Sequence, residues 1–215
     1  MLGRVRDGVS FATEADLYAI VDWHVLSDAN PLAHADGAAG FFGRISADLS
    51  GNNNVIYEIC NEPNNGTTWE DVKACAQRII PIIRANDPDA VIIVGTPTWC
   101  QDMDQPAAAP LDADNVMYAL HFYAATHQAN LRDRMAAAVR AGLPVFVSDS
   151  WNATVSIDGA ELTLDSVSYN GALAPQATAQ DIGFILSGNA LPNSRSHNEL
   201  DFMQQQHTIP GSARC

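Results

Sequence analysis

The chain has 215 residues, of which 47% are apolar, enough for one domain or one and a half with a sizeable core. Its formal charge of −14 argues against nucleic acid or anionic membrane as a partner, because either would repel it. No apolar run reaches the roughly 18 residues of a membrane span, and the start, Met1-Leu2-Gly3-Arg4-Val5-Arg6, lacks the apolar core of a secretion signal.

Residues 3–16 read as the tail of a helix and residues 17–22 as a strand ending at Trp23-His24. His24 is either a core histidine or a substrate contact, and its place at a strand end favours contact. Residues 27–34 form a polar loop with Asn30-Pro31 as a turn signal. Ala38, Phe41, Phe42, Ile45 and Leu49, spaced by three and four, mark an amphipathic helix, closed by Gly51-Asn52-Asn53-Asn54.

The central stretch is Val55-Ile56-Tyr57-Glu58-Ile59-Cys60-Asn61-Glu62-Pro63. An apolar run that passes into an amide, a carboxylate and a proline reads as a buried strand delivering polar groups at its carboxyl end, where α/β proteins carry their chemistry. Pro63 keeps Glu62 out of the helical region. A carboxylic acid held there beside Asn61 suits general acid work on a sugar; the other reading is a helix cap or a lysine partner.

Thr67 or Thr68 then caps a helix burying Val72, Cys75, Ile79, Ile82 and Ile83, with a kink expected at Pro81 and an end at Asn86-Asp87-Pro88. Residues 91–94 form a strand whose exit carries Trp99, Asp102 and Asp104. Trp99 either stacks on a pyranose face or fills the core, and the aspartates lack the spacing of a calcium loop. Residues 116–120 form a strand delivering His121 and Tyr123. Leu131, Met135, Ala138 and Val139 mark a helix stopped by Gly142, and residues 145–147 form a fifth strand. Strand centres recur at roughly 26 to 36 residues, the repeat of βα units in a parallel sheet, so the architecture implied is a (β/α) barrel. Cys60, Cys75, Cys100 and Cys215 show no metal spacing with the six histidines. Cys60 and Cys75 fall on apolar faces and read as buried free thiols.

Asn61-Glu62-Pro63 after an apolar strand, preceded by Asp22-Trp23-His24 and followed by His121-Phe122-Tyr123, resembles the glycoside hydrolase family 5 cellulases, the endo-β-1,4-glucanases. Gly95-Thr96-Pro97-Thr98-Trp99 and Leu143-Pro144-Val145-Phe146-Val147-Ser148 fall in family order, so the likeness covers about residues 3–148. The resemblance implies an incomplete (β/α)8 TIM-type barrel, with five of the eight strands recognisable and two open sheet edges through which copies could associate. It implies retaining hydrolysis of cellulose or a related β-glucan, with Glu62 as acid/base and no metal or organic cofactor. The family nucleophile is a glutamate; this chain has Asp149 there, one methylene shorter. Asn61 would hydrogen-bond the sugar, His121 and Tyr123 would orient the nucleophile, and His24 and Trp99 would line the cleft. The setting implied is extracellular.

From Ser150 the character changes. Serine, threonine, asparagine and glycine rise, and alternating runs at 154–157 and 161–164 read as antiparallel strands, with Asp158-Gly159 and Asn170-Gly171 as hairpin signals. Trp151-Asn152-Ala153-Thr154, then Ser168-Tyr169-Asn170-Gly171-Ala172-Leu173-Ala174-Pro175, then Ile182-Gly183-Phe184 resembles the carboxyl half of a family 2 carbohydrate-binding module, a β-sandwich. Trp151 and Tyr169 fall on platform positions or in a new core. The division expected is an α/β barrel segment over 1–148 and a partial antiparallel β-sandwich segment over 149–215 with an irregular tail. Two other readings compete with the enzyme: a non-catalytic cellulose-binding protein using Trp99, Trp151 and Tyr169, and an inactive fragment.

Overall fold

The computed structural model describes residues 2–24, 27–123, 127, 129–151, 153–158, 161–166 and 183–185, with the backbone alone from residue 150 onward. Five parallel strands, β1 (Ala19–Asp22), β2 (Val55–Glu58), β3 (Val91–Val94), β4 (Val116–Tyr123) and β5 (Val145–Trp151), lie side by side in chain order. Helices α1 (Leu2–Glu14), α2 (Ala35–Leu49), α3 (Trp69–Arg84), α4 (Pro97–Cys100), α5 (Asp104–Ala108) and α6 (Ala129–Arg140) precede or connect them. Strand order equal to chain order, with every connection a crossover, is the arrangement of a (β/α) barrel arc. Five strands of it are present among the described residues.

The apolar spacing in the sequence explains the layers. Phe41, Phe42, Ile45 and Leu49 of α2 and Val72, Cys75, Ile79 and Ile83 of α3 are buried against β1–β3. An aromatic chain ties the layers, with ring centroids 5.5 Å apart for Trp23–Phe41, 5.1 Å for Phe41–Phe42 and 6.3 Å for Phe42–Tyr57. Thr68 caps α3 in a reciprocal box with Asp71, worth about 1 kcal/mol. One helix runs through Pro81 to Arg84, so the kink expected there does not break it. The missing proline N–H deprives the Gln77 carbonyl of its helical donor, but Gln77 is exposed and water can serve it. The loop read over 27–34 contains a short 3-10 turn, Pro31–His34, capped by the Asn30 side chain.

β2 and β3 are buried on both faces, whereas Ile20 on the outer strand β1 is exposed, together with Phe11 and Tyr18. Cys60, Cys75 and Cys100 are buried free thiols, as expected for the first two. Cys215 lies outside the described residues.

A second sheet is antiparallel and three-stranded, with order β6 (Ala153–Asp158), β7 (Glu161–Ser166) and β8 (Gly183–Ile185). Asp158 pairs with Glu161, the register of a two-residue hairpin, so the first alternating pair is a hairpin as its sequence suggested. The third strand pairs Leu162 with Phe184. Asn170-Gly171 lies outside the described residues.

Candidate active site

Carboxyl ends of parallel strands deliver the polar side chains. β2 ends at Glu58, and the chain continues through Ile59 and Cys60 to Asn61 and Glu62. This turn abuts Gly95 after β3. A Cβ at Gly95 would lie 2.7 Å from the Asn61 carbonyl oxygen, 2.9 Å from Pro63 Cδ and closer still to the Cys60 carbonyl. Only glycine permits that approach.

The exit of β3 is locked onto the same segment. Thr98, Trp99 and Cys100 all have left-handed φ, at 59°, 54° and 57°, a conformation that costs non-glycine residues about 1–3 kcal/mol each unless neighbours impose it. Here the Trp99 N–H donates to the Pro63 carbonyl at 3.0 Å, and the Cys100 thiol donates to the Asn61 carbonyl at 2.9 Å. The turn leaves the Trp99 ring 45% exposed, so it is not core filling. Arg134 of α6 braces the following loop through Asp102 and Asp104, at 3.1 and 2.7 Å.

His121 of β4 is the hub. It is 1% exposed, with Nδ1 3.0 Å from Glu62 Oε1 and 4.0 Å from Asp149 Oδ2. Its Nε2 lies 2.8 Å from Ser148 Oγ, which in turn donates to Glu58 Oε1 at 2.8 Å. Burial pulls the imidazole pKa down, but the carboxylates of Glu58 and Glu62 outweigh it and raise the value to about 9. Glu62 is only partly buried, its side chain 16% exposed, and Asp149 is 46% exposed. Burial raises the Asp149 pKa; His121 pulls against this, and Glu58 and Glu62 add to it.

A register irregularity makes this possible. Ala119 pairs with Phe146 but His121 with Asp149, so β5 carries one residue more than β4 across the same span. Such a bulge re-aims side chains, and here it places both Ser148 and Asp149 beside the His121 ring. The Ser148–Glu58 hydrogen bond joins β5 to β2, three places apart in the sheet order, so the sheet curls as a barrel arc does.

The remaining sequence-predicted residues stand at the rim. His24 is exposed with Nδ1 2.6 Å from Asp22 Oδ2. Tyr123 is exposed with its ring against His127, centroids 6.0 Å apart. Asn61 is buried beside Glu62. Trp151 pairs with Tyr123 across β4 and β5, and Tyr169 lies outside the described residues. His121, expected to orient the nucleophile, lies 4.0 Å from Asp149 Oδ2 and makes a shorter contact of 3.0 Å with Glu62 Oε1. Sequence reasoning assigned no role to Asp22, Glu58 or Ser148. The available signal was a carboxylate, Glu58, inside an otherwise apolar buried strand. Asp22, in register with Glu58, has its pKa raised to about 7 by burial and by Glu58, against the lowering pull of His24.

A family model for cellulase, glycosyl hydrolase family 5, matches residues 1–164. The chain belongs to glycosyl hydrolase family 5. Among similar family members, Endoglucanase A of Butyrivibrio fibrisolvens is 49% identical over 145 residues, 67% of this chain and 33% of that protein. An endoglucanase of Clostridium saccharobutylicum is 45% identical over 157 residues, 73% of this chain and 35% of that protein. The chain thus spans about a third of the length of these relatives. Among solved structures, the catalytic domain of Thermobifida fusca endoglucanase Cel5A superposes with a TM-score of 0.68 at 40% identity, covering 70% of this chain and 51% of that one. A Glu-to-Gln variant of that enzyme, solved in complex with cellotetraose, is 41% identical over 71% of this chain and 52% of that chain. These family 5 neighbours identify the five-stranded arc as part of a TIM-type barrel. Among the described residues no helix is long and apolar enough to cross a membrane, and no cluster of metal-ligating side chains occurs.

Proposed function

We propose that the site hydrolyses internal β-1,4-glucosidic bonds of cellulose or a related β-glucan by retaining double displacement. Glu62 serves as acid/base and Asp149 as nucleophile. The observation that carries this is that both carboxylates converge on His121 Nδ1, at 3.0 and 4.0 Å. Their nearest oxygens are therefore no more than roughly 7 Å apart. Retaining enzymes need about 5 to 5.5 Å and inverting ones about 6.5 to 9.5 Å. Asn61 would hydrogen-bond the sugar, Tyr123 would assist the nucleophile, and His24 and Trp99 would contact the glucan. The chemistry asks for no metal or organic cofactor. A polymeric substrate too large to enter a cell supports an extracellular setting.

Release of reducing ends from soluble carboxymethyl cellulose tests the assignment. The wild type is expected to be active and Glu62→Gln to lose ~10²- to 10⁴-fold, the usual contribution of a positioned acid/base. An equally active Glu62→Gln protein overturns it. A second reading, cellulose binding without catalysis, is favoured by the exposed Trp99 and by the short, half-exposed Asp149. It expects retention on insoluble cellulose with no hydrolysis by the wild type.

We also propose that residues after the barrel arc contribute a partial family 2 carbohydrate-binding sandwich, with Trp151 and Tyr169 as sugar contacts. The antiparallel β6–β8 sheet supports this. The family 5 match runs past residue 148 to 164, so the case for a separate 149–215 segment rests mainly on the chain after β7. Loss of cellulose retention in Tyr169→Ala is the expected result. The outer edges of β1 and β5 are candidate self-association surfaces, and a concentration-independent monomer in light scattering would remove them.

A further inference from the structure

The turn that follows Glu62-Pro63 carries an asparagine with no part in the proposed hydrolysis. Residues Asn64, Asn65, Gly66 and Thr67 form a β-turn closed by the Thr67 N–H, which donates to the Asn64 carbonyl at 2.9 Å. Its central residues have φ of 49° at Asn65 and 85° at Gly66, the left-handed pair of a type I′ turn. Both are exposed, and a Cβ placed on Gly66 would meet open space. Among the described residues, neither the Asn65 side chain nor the Gly66 N–H makes a hydrogen bond.

A backbone nitrogen can attack the side-chain amide of a preceding asparagine when it is free, wet and unshielded. Glycine leaves it least shielded, and Asn65 alone among the described asparagines precedes glycine. Asn30 precedes proline, which has no N–H. Asn54 and Asn115 precede valine, whose branched Cβ crowds the nitrogen, and Asn61 and Asn64 are buried.

We propose that Asn65 is a site of spontaneous deamidation whose isoaspartyl product displaces the main chain at Glu62. The Gly66 nitrogen, on losing its proton, bonds to Asn65 Cγ. The Cγ–Nδ2 bond then breaks, and Nδ2 takes a proton from water and leaves as ammonia. Water opens the resulting succinimide at either carbonyl, giving aspartate or isoaspartate, in which the main chain runs through the side chain. Nothing is oxidised or reduced, and water is the one reactant consumed.

The anchors on either side carry the effect to the site. Asn64 Nδ2 donates to the Glu62 carbonyl at 2.7 Å, and the Asn64 N–H donates to the Ala29 carbonyl at 3.2 Å. The Pro63 carbonyl accepts from the Trp99 N–H, and Thr68 is fixed as the cap of α3. Isoaspartate inserts a methylene into the main chain between these anchors, so Asn64, and through it Glu62, must shift. Aspartate adds a charge without lengthening the chain and leaves the turn in place. The consequence for hydrolysis rests on the reading of Glu62 as acid/base; the chemistry at Asn65 does not.

The experiment ages the full chain at mildly acidic and mildly alkaline pH, beside Asn65→Gly and Asn65→Asp. Asn65→Gly removes the amide and keeps a residue suited to positive φ. Peptide mapping by mass spectrometry with enzymatic isoaspartate methylation follows residue 65, reading it separately from Asn170. Conversion is expected at Asn65, faster at alkaline pH and faster than at Asn54 or Asn115. Amide NMR signals of Asn64 and Trp99 should move in the isoaspartyl protein and stay put in fresh Asn65→Asp. Reducing-end release should fall with the isoaspartate fraction, by up to ~10²-fold, the cost of misplacement by about 1 Å, while Asn65→Gly keeps its activity. An Asn65 that converts no faster than Asn115 overturns the proposal, as do unmoved Asn64 and Trp99 signals in the isoaspartyl protein. So does an Asn65→Gly protein that loses activity as fast as the wild type. Absence of cleavage by fresh wild type sinks the hydrolase reading alone, and the peptide map and NMR signals still decide this one.

Discussion

The inner ends of β2 and β4 and the rim above them use polar residues in opposite ways. Inside, Glu58 and His121 are almost wholly buried, and each is held by a short hydrogen bond to Ser148. At the rim, His24, Trp99 and Tyr123 are exposed and make few such bonds. Desolvation separates the two sets: where water is excluded, a charge without its partner costs several kcal/mol, whereas an exposed pair contributes little. Substitutions inside should therefore affect folding and chemistry together, and substitutions at the rim should affect recognition alone.

His121→Gln gives the largest expected effect. It removes the cation between Glu58 and Glu62, and a buried charge left without its partner costs about 3–5 kcal/mol. The midpoint of urea unfolding should fall accordingly; an unchanged midpoint would erase the contrast between inside and rim. Next comes Asp149→Glu. The side chain is half-exposed, so there is room for one more methylene, and restoring carboxylate reach should raise kcat by up to ~10²-fold. A drop in reducing-end release would show that Asp149 is not a shortened nucleophile.

Trp99→Ala should weaken glucan binding by about tenfold, the scale of one aromatic contact, with melting nearly unchanged. Calorimetric titration with cellotetraose measures the first and circular dichroism the second. A large loss of stability would place Trp99 with the inner set.

A further effect is electrostatic and is read from pH. The folded-state pKa values of Asp22, about 7, and His121, about 9, both lie above their ordinary values of 3.8 and 6.5. Each group therefore contributes stability that is complete below its ordinary pKa and is lost as pH rises through the folded value. Stability from this pair should decline from about pH 4 to pH 9. Asp22→Asn should flatten the lower part of that decline, up to about pH 7, and leave the upper part. A melt series with the same slope in both proteins would rule out Asp22 as its source.

Helix and strand positions were legible because burial on one face imposes a period. Spacing of three and four along Ala38–Leu49 and the apolar runs at 91–94 and 116–120 needed no further information, and the recurrence of strands implied a parallel sheet. The strand β4 proved longer than its apolar run, because pairing with β5 carries it through His121 to Tyr123. The turn at Thr98–Cys100 was not legible, since its left-handed backbone is imposed by hydrogen bonds to Pro63 and Asn61 from another part of the chain.

The sequence by itself determined the order of elements, the buried face of each and the delivery of Asn61, Glu62 and His121 at strand ends, because these arise from local periodicity and from where an apolar run stops. Only the tertiary structure decided who meets whom. The extra residue in β5 turns Ser148 and Asp149 toward His121, and the curl of the sheet brings Ser148 to Glu58, 90 positions away in the chain. Pairings of that kind depend on register and curvature, which come from the packing of whole strands and leave no local pattern along the chain.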